Sequence, residues 1–158
     1  MRKCNSSMQL TRAADYGVRV MVYLVSMPDE ARVLLPALAQ ATDTPESFLS
    51  KILQALARAD LIVSRRGKAG GFTMRPRGRL ASMYDVIEAI EGPIFLNVCL
   101  TEDGRGCERS EGCPAHPVWA RAQRAMLEVL TRASIAEMAL RGPLPLRIEA
   151  ASIQPMAR

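Results

Sequence analysis

Apolar and polar positions along this chain fall into blocks whose period changes, and each change marks an element. From Leu10 to Met27, Ala14, Val18, Met21, Val22 and Val25 recur at the spacing of one helix face. Thr11 is placed to cap that helix and Pro28-Asp29-Glu30 to stop it. A short second helix is expected from Pro36 to Ala41, with proline in its first turn. The stretch "TDTP" interrupts, and Thr44 is expected to cap a third helix running from Pro45 to Ala59. There Phe48, Leu49, Ile52, Leu53 and Leu56 form the predicted buried stripe, leaving Ser47, Ser50, Lys51, Gln54 and Arg58 outside. Two helices across a tight turn, the second offering short polar and basic side chains, make the pattern of a helix-turn-helix. Taken alone that pattern is weak, since every amphipathic helix has a polar face.

Past Asp60 the period shortens. Leu61 to Val63 is a β-favouring run, and Phe72-Thr73-Met74 is another, ended by Pro76. A β-hairpin is predicted, its tip the basic, glycine-rich segment from Arg66 to Gly71. "GKAGG" is not a nucleotide loop: the earlier glycine, the Ser or Thr after Lys68 and a following helix are all missing. A basic hairpin directly behind a helix-turn-helix instead fits a wing that lies along phosphates or enters a minor groove. Ser82 to Glu91 is read as a short helix with Met83, Val86, Ile87 and Ile90 inside, closed by Gly92-Pro93. Beyond Pro117 a longer helix carries Trp119, Ala122, Met126, Val129 and Ala133 in a heptad-like seam. A helix that long in a 158-residue chain finds few internal faces to cover it, so the seam is read as a dimer interface. Ser134-Ile-Ala-Glu137 is a capping box and starts a separate short helix, and the tail after Gly142-Pro143 is expected to be irregular.

The pattern therefore predicts a mainly α fold with a small β-hairpin: a winged helix-turn-helix followed by a long C-terminal dimerisation helix. Composition adds three things. The chain holds one core and no segment of about 20 apolar residues, which excludes a membrane span. No apolar stretch precedes Thr11, so no signal peptide is expected and the cytoplasm is the predicted location. Between Thr44 and Leu80, Lys51, Arg58, Arg65, Arg66, Lys68, Arg75, Arg77 and Arg79 face only Glu46 and Asp60, a local field suited to a polyanion.

The remaining chemistry is concentrated between Cys99 and His116. Cys99, Cys107 and Cys113 are separated by seven and five residues that include Gly104, Gly106 and Gly112, and His116 follows. In a cytoplasmic protein such cysteines point to metal or redox chemistry rather than structural disulfides. Thiolates bind iron–sulfur clusters, and glycines let a loop close around a bulky inorganic group. A structural zinc site of the Cys₃His kind would use the same four residues, and a thiol–disulfide switch would need only two cysteines. Cys113 with His116 also resembles a nucleophile–base pair, but no third orienting residue accompanies them, and a hydrolase-type enzyme would leave the basic hairpin unexplained.

Taken together, "MQLTRAADYGVRVMVYL", "SFLSKILQALARADLIVSRRGKAGGF", "YDVIEAIEGP" and the three-cysteine loop resemble the Rrf2 family of bacterial winged-helix transcriptional regulators, which includes the IscR, NsrR and RirA types. The resemblance covers about residues 8–139. It implies an N-terminal extension over 1–7, a DNA-binding domain over 8–80 and a linker helix over 81–96. A cluster-binding loop over 97–116, a dimerisation region over 117–141 and an irregular tail over 142–158 would follow. It further implies a cytoplasmic homodimer, a repressor on a double-stranded DNA operator, responsive to nitric oxide, iron or cluster status, or redox stress. Ser47, Ser50, Lys51 and Gln54 would enter the major groove, with Arg65, Arg66 and Lys68 on the wing. Cys99, Cys107 and Cys113 would hold an iron–sulfur cluster, while Cys4 has no family counterpart. For the fourth ligand, His116 with Trp119 behind it is similar to IscR-type proteins with a 2Fe–2S cluster. Asp15 in "ADYGVRV" is similar to NsrR-type proteins, where an aspartate of the partner subunit completes a 4Fe–4S cluster. The seven-then-five cysteine spacing is similar to RirA-type sensors.

Overall fold

The helical period of the first third of the chain is realised as three helices. The computed structural model describes residues 10–65, 67, 70–101, 107–108 and 112–141. Helix α1 spans Arg12–Ser26, with the Thr11 hydroxyl accepting the Ala13 N–H at 3.2 Å. Its burial is wider than one stripe: Gly17, Val20, Tyr23 and Leu24 are buried along with Ala14, Met21 and Val22. The reason is that α1 is surrounded, packing against helices from both halves of the chain and against the second strand of the hairpin.

Helix α2 (Leu35–Thr42) ends at Asp43, whose left-handed backbone (φ 48°, ψ 47°) makes the tight turn into helix α3 (Glu46–Arg58). Thr44 does not cap α3: its hydroxyl donates to the Thr42 carbonyl at 3.2 Å, and Pro45 precedes the first turn with no side-chain cap. Leu49, Ile52, Leu53, Ala55 and Leu56 fill the core from α3. Phe48 departs from the expected stripe, being 48% exposed. At 100° per residue it lies about 70° from the centre of the buried set, nearer than the buried Ala55, so its exposure follows from its place in the first turn of α3 rather than from the face it is on. Its ring rests edge-on against Tyr16, centroids 5.9 Å apart.

Strands β1 (Ile62–Arg65) and β2 (Gly71–Met74) pair antiparallel, Ile62 opposite Met74 and Arg65 opposite Gly71. Phe72 also exchanges backbone hydrogen bonds with Val33 at 2.9 and 3.0 Å, anchoring the hairpin to the segment between α1 and α2. Pro76 opens a one-turn helix α4 (Pro76–Arg79) rather than merely ending the strand, because proline suits a first helical turn. Gly78 of α4 lies so close to the Leu61 carbonyl and the Met74 sulfur that a Cβ there would overlap both. Arg79 reaches back to the carbonyls of Val25 (3.1 Å) and Met27 (3.2 Å) and to Asp29 (2.6 Å), closing the C-terminal end of α1.

Helix α5 (Met83–Glu91) starts in a reciprocal capping box between Ser82 and Asp85. Its last residue, Glu91, accepts from both the backbone N–H (2.8 Å) and the hydroxyl (2.6 Å) of Thr11. Helix α6 (His116–Arg132) then runs back along α5: the Met83 N–H donates to the Ala133 carbonyl at 2.8 Å, while Gln123 meets the segment just past the end of α5. Helix α7 (Ile135–Leu140) is capped by Ser134 and returns Ile135 to the core beside α1. The described fold is thus mainly helical with one two-stranded hairpin, as expected. No helix of the described residues is long and apolar enough to cross a membrane.

Candidate nucleic-acid interface and cysteine loop

Burying Leu49, Ile52, Leu53, Ala55 and Leu56 forces the opposite face of α3 outward. Ser47, Ser50, Lys51, Gln54 and Arg58 are all exposed there. Arg65, at the end of β1, is exposed on the hairpin. Arg66 and Lys68 lie outside the described residues. Gly67 has φ 95°, a backbone conformation that favours glycine, and its carbonyl accepts the Gly70 N–H at 2.7 Å.

The basic segment divides by what each cation touches. Arg75 pairs with Asp60 at 3.0 Å and Arg79 is committed to the end of α1, so these two support the fold. Lys51, Arg58, Arg65 and Arg77 are exposed and have no carboxylate partner among the described residues. Beside α3 a groove of about 540 Å³ is lined by Ala13, Phe48, Ile52, Ala55 and Ile90 together with Ser47, Lys51 and Arg58. A cationic, hydroxyl-bearing face on a helix that packs against the hairpin presents the groups that bind phosphate and base edges.

In the cysteine region, Cys99 sits in a single 3₁₀ turn (Val98–Leu100). Asn97 opens the turn, its side-chain oxygen accepting the Val98 N–H at 2.9 Å. Thr101 closes it by donating to the Val98 carbonyl at 2.9 Å. Cys99, Cys107 and Cys113 are free and half-buried. His116 is the first residue of α6, and its backbone N–H donates to the Cys113 carbonyl at 3.1 Å. Asp15 is exposed on α1 and paired with Arg19 at 2.7 Å. No three His, Cys, Asp or Glu side chains among the described residues gather closely enough to hold a metal ion. In kind, the donor set of three free thiols and an imidazole suits an iron–sulfur cluster or zinc. Cys4 lies outside the described residues.

Helix α6 has two faces. Trp119, Ala122 and Val129 of the seam are exposed, with Met126 and Ala133 half-buried at its border. Gln123, the one buried residue of the helix, bonds to the segment that follows α5. Gln123, Glu91 and Arg79 all carry contacts that the hydrophobic pattern did not signal. A polar residue whose partners are distant backbone atoms leaves no periodic trace in sequence.

The family model for Rrf2, described as "Iron-dependent Transcriptional regulator", matches residues 10–141. Protein aau3 of Rhizobium meliloti (strain 1021) is 31% identical over 124 residues, 78% of this chain and 79% of its own length. Among solved structures, CymR (YrzC), the global cysteine regulator of B. subtilis, is 26% identical with a TM-score of 0.66, over 85% of this chain and 98% of its own. T. potens IscR, 24% identical with a TM-score of 0.64 over 95% of this chain and 93% of its own, shares the fold.

Proposed function

The chain belongs to the Rrf2 family of transcriptional regulators, not to an enzyme family, and from that premise we propose that it is an iron–sulfur-cluster-dependent repressor acting as a homodimer in the cytoplasm. The observation that carries the DNA-binding part is the exposed cationic face of α3, with Lys51 and Arg58 beside Ser47, Ser50 and Gln54. In this reading α3 enters the major groove and Arg65, Arg66 and Lys68 of the hairpin track the adjacent backbone or minor groove. The exposed Trp119, Ala122 and Val129 of α6, with Met126 and Ala133, meet the same residues of a second copy.

Cys99, Cys107 and Cys113 are the residues that would hold the cluster, with His116 or Asp15 completing it. When bound, the cluster supplies a group whose charge and integrity change with oxidants, iron supply or nitric oxide. What the chain itself contributes is placement. The Asn97–Thr101 turn fixes Cys99, and the turn that leads into α6 fixes Cys113 and the backbone of His116 relative to one another. His116 lies three residues after Cys113 in one turn, whereas Asp15 is engaged by Arg19 and would have to leave that pair to serve as a ligand.

A thiol-based switch is the second reading, favoured by the three free thiols that are not drawn together into a metal-binding group. Zinc would be the third. Anaerobic purification separates them. Iron and acid-labile sulfide in a brown dimer support the cluster, bound zinc supports a structural site, and a colourless dimer whose DNA affinity changes with thiol oxidants supports the switch.

A further inference from the structure

Gln123 is 8% exposed and both ends of its carboxamide are used. Oε1 accepts the Leu96 N–H at 2.7 Å, and Nε2 donates to the Ile94 carbonyl at 3.0 Å. One side chain thus satisfies a donor and an acceptor of the segment that leads into Asn97 and the Cys99 turn. On its own helix Gln123 follows Ala122 directly and precedes Met126 by one turn, so the same residue borders the outward seam. Further along, α6 is fixed independently, by the Met83 N–H on the Ala133 carbonyl and the Ile135 N–H on the Ala81 carbonyl at 3.0 Å. Among the described residues, the part of α6 from His116 to Ala122 makes no such backbone hydrogen bond to α5, and Gln123 is the next residue that bonds outside the helix.

A buried amide that loses one partner leaves an unsatisfied polar group, so the joint favours both bonds or a rearranged state over a half-made one. We infer that Gln123 is a positioning residue that transmits the state of the loop thiols to α6. A change at Cys99 that draws Leu96 away breaks the two-bond joint and lets the N-terminal part of α6, with Trp119 and Ala122, change its angle. The angle between the two reading heads would change with it. This rests on the reading of the loop as the sensory element.

The test uses the full chain with Cys4→Ala, reduced and freed of iron by a chelator so that the three loop thiols and no others react, and a DNA duplex selected from a random library by that reduced protein. Operator affinity is measured before and after alkylation with N-ethylmaleimide, and hydrogen exchange is followed at the Leu96 amide. The unsubstituted joint should give an affinity ratio of at least about fivefold, the lower range of allosteric coupling. Gln123→Leu should remain a dimer, bind as tightly when reduced, exchange the Leu96 amide faster and give a ratio near one. A Gln123→Leu protein that keeps the full ratio overturns the inference while leaving the sensory reading intact. A ratio of one with Gln123 present instead defeats the sensory reading, and the inference with it. If Gln123→Leu does not fold, Gln123→Glu, which keeps the acceptor for Leu96 and loses the donor to Ile94, is read in the same way: a ratio at least halved supports the joint, an unchanged one overturns it.

Discussion

Replacing Arg79 by methionine should weaken the fold and leave DNA binding almost untouched, although Arg79 belongs to the most basic segment of the chain. The guanidinium donates to two carbonyls at the end of α1, at 3.1 and 3.2 Å, and the side chain is only 28% exposed. Hydrogen bonds from a charged donor contribute about 1.5–3 kcal/mol each, and the upper end is excluded because water can reach the freed carbonyls. The ion pair adds little, since the Asp29 side chain is 84% exposed. Methionine keeps most of the apolar stem, so two bonds at the lower end of that range give an expected loss of about 3 kcal/mol. In a chain of this size that lowers Tm by roughly 6–10 °C. The assays are a thermal melt and the slope of log affinity against log salt on the same duplex. If three or four phosphates are neutralised per subunit, the dimer should show a slope of about −5 to −7, and Arg79→Met should keep it. Lys51→Ala should do the reverse, holding Tm within about 2 °C while making the slope shallower by about two per dimer. An Arg79→Met protein with unchanged Tm and a shallower slope would refute this division of the basic residues.

Val129 is 68% exposed in the single chain, so Val129→Asp should cost the protomer little stability yet give monomers in sedimentation and lose operator binding. A Val129→Asp dimer that still binds would remove the seam from the interface. Single Cys→Ala changes at Cys99, Cys107 and Cys113 should each give folded, colourless dimers without a response to iron loss or nitric oxide; His116→Ala and Asp15→Ala then differ, only the true ligand altering the absorption spectrum. Gly78→Ala should loosen α4 against the hairpin, because its Cβ would overlap the backbone carbonyl of Leu61, with a lower urea midpoint as the readout.

Much of the architecture was legible because it rests on periodic burial. The stripe Leu49, Ile52, Leu53 and Leu56 fixed both the core side and the polar side of α3, and the glycine-rich break between two β-favouring runs located the hairpin. What escaped depends on tertiary surroundings. Thr44 has the chemistry of an N-cap but spends its hydroxyl on the preceding turn, and Phe48 has an apolar side chain with Tyr16 rather than the core as its neighbour. The basic segment was visible as a charge count, but its division into Arg75 and Arg79 for the fold and Lys51, Arg58, Arg65 and Arg77 for solvent was not. That division depends on where Asp29, Asp60 and the end of α1 lie in space. The loop was recognisable from cysteine spacing, whereas its attachment through Gln123 was not, since the partners are backbone atoms 27 and 29 residues away.

The central claim is that the state of an iron–sulfur cluster on Cys99, Cys107 and Cys113 sets DNA affinity. Its most direct test is a fluorescence-anisotropy titration of the selected duplex with anaerobically purified protein, before and after iron is removed by a chelator. Iron and sulfide are quantified in the same samples. The account predicts a brown protein whose affinity changes at least about tenfold as iron is lost, and a Cys107→Ala protein that binds with one affinity throughout. A protein that purifies without iron or sulfide, or one whose affinity stays the same after its iron is gone, would contradict it.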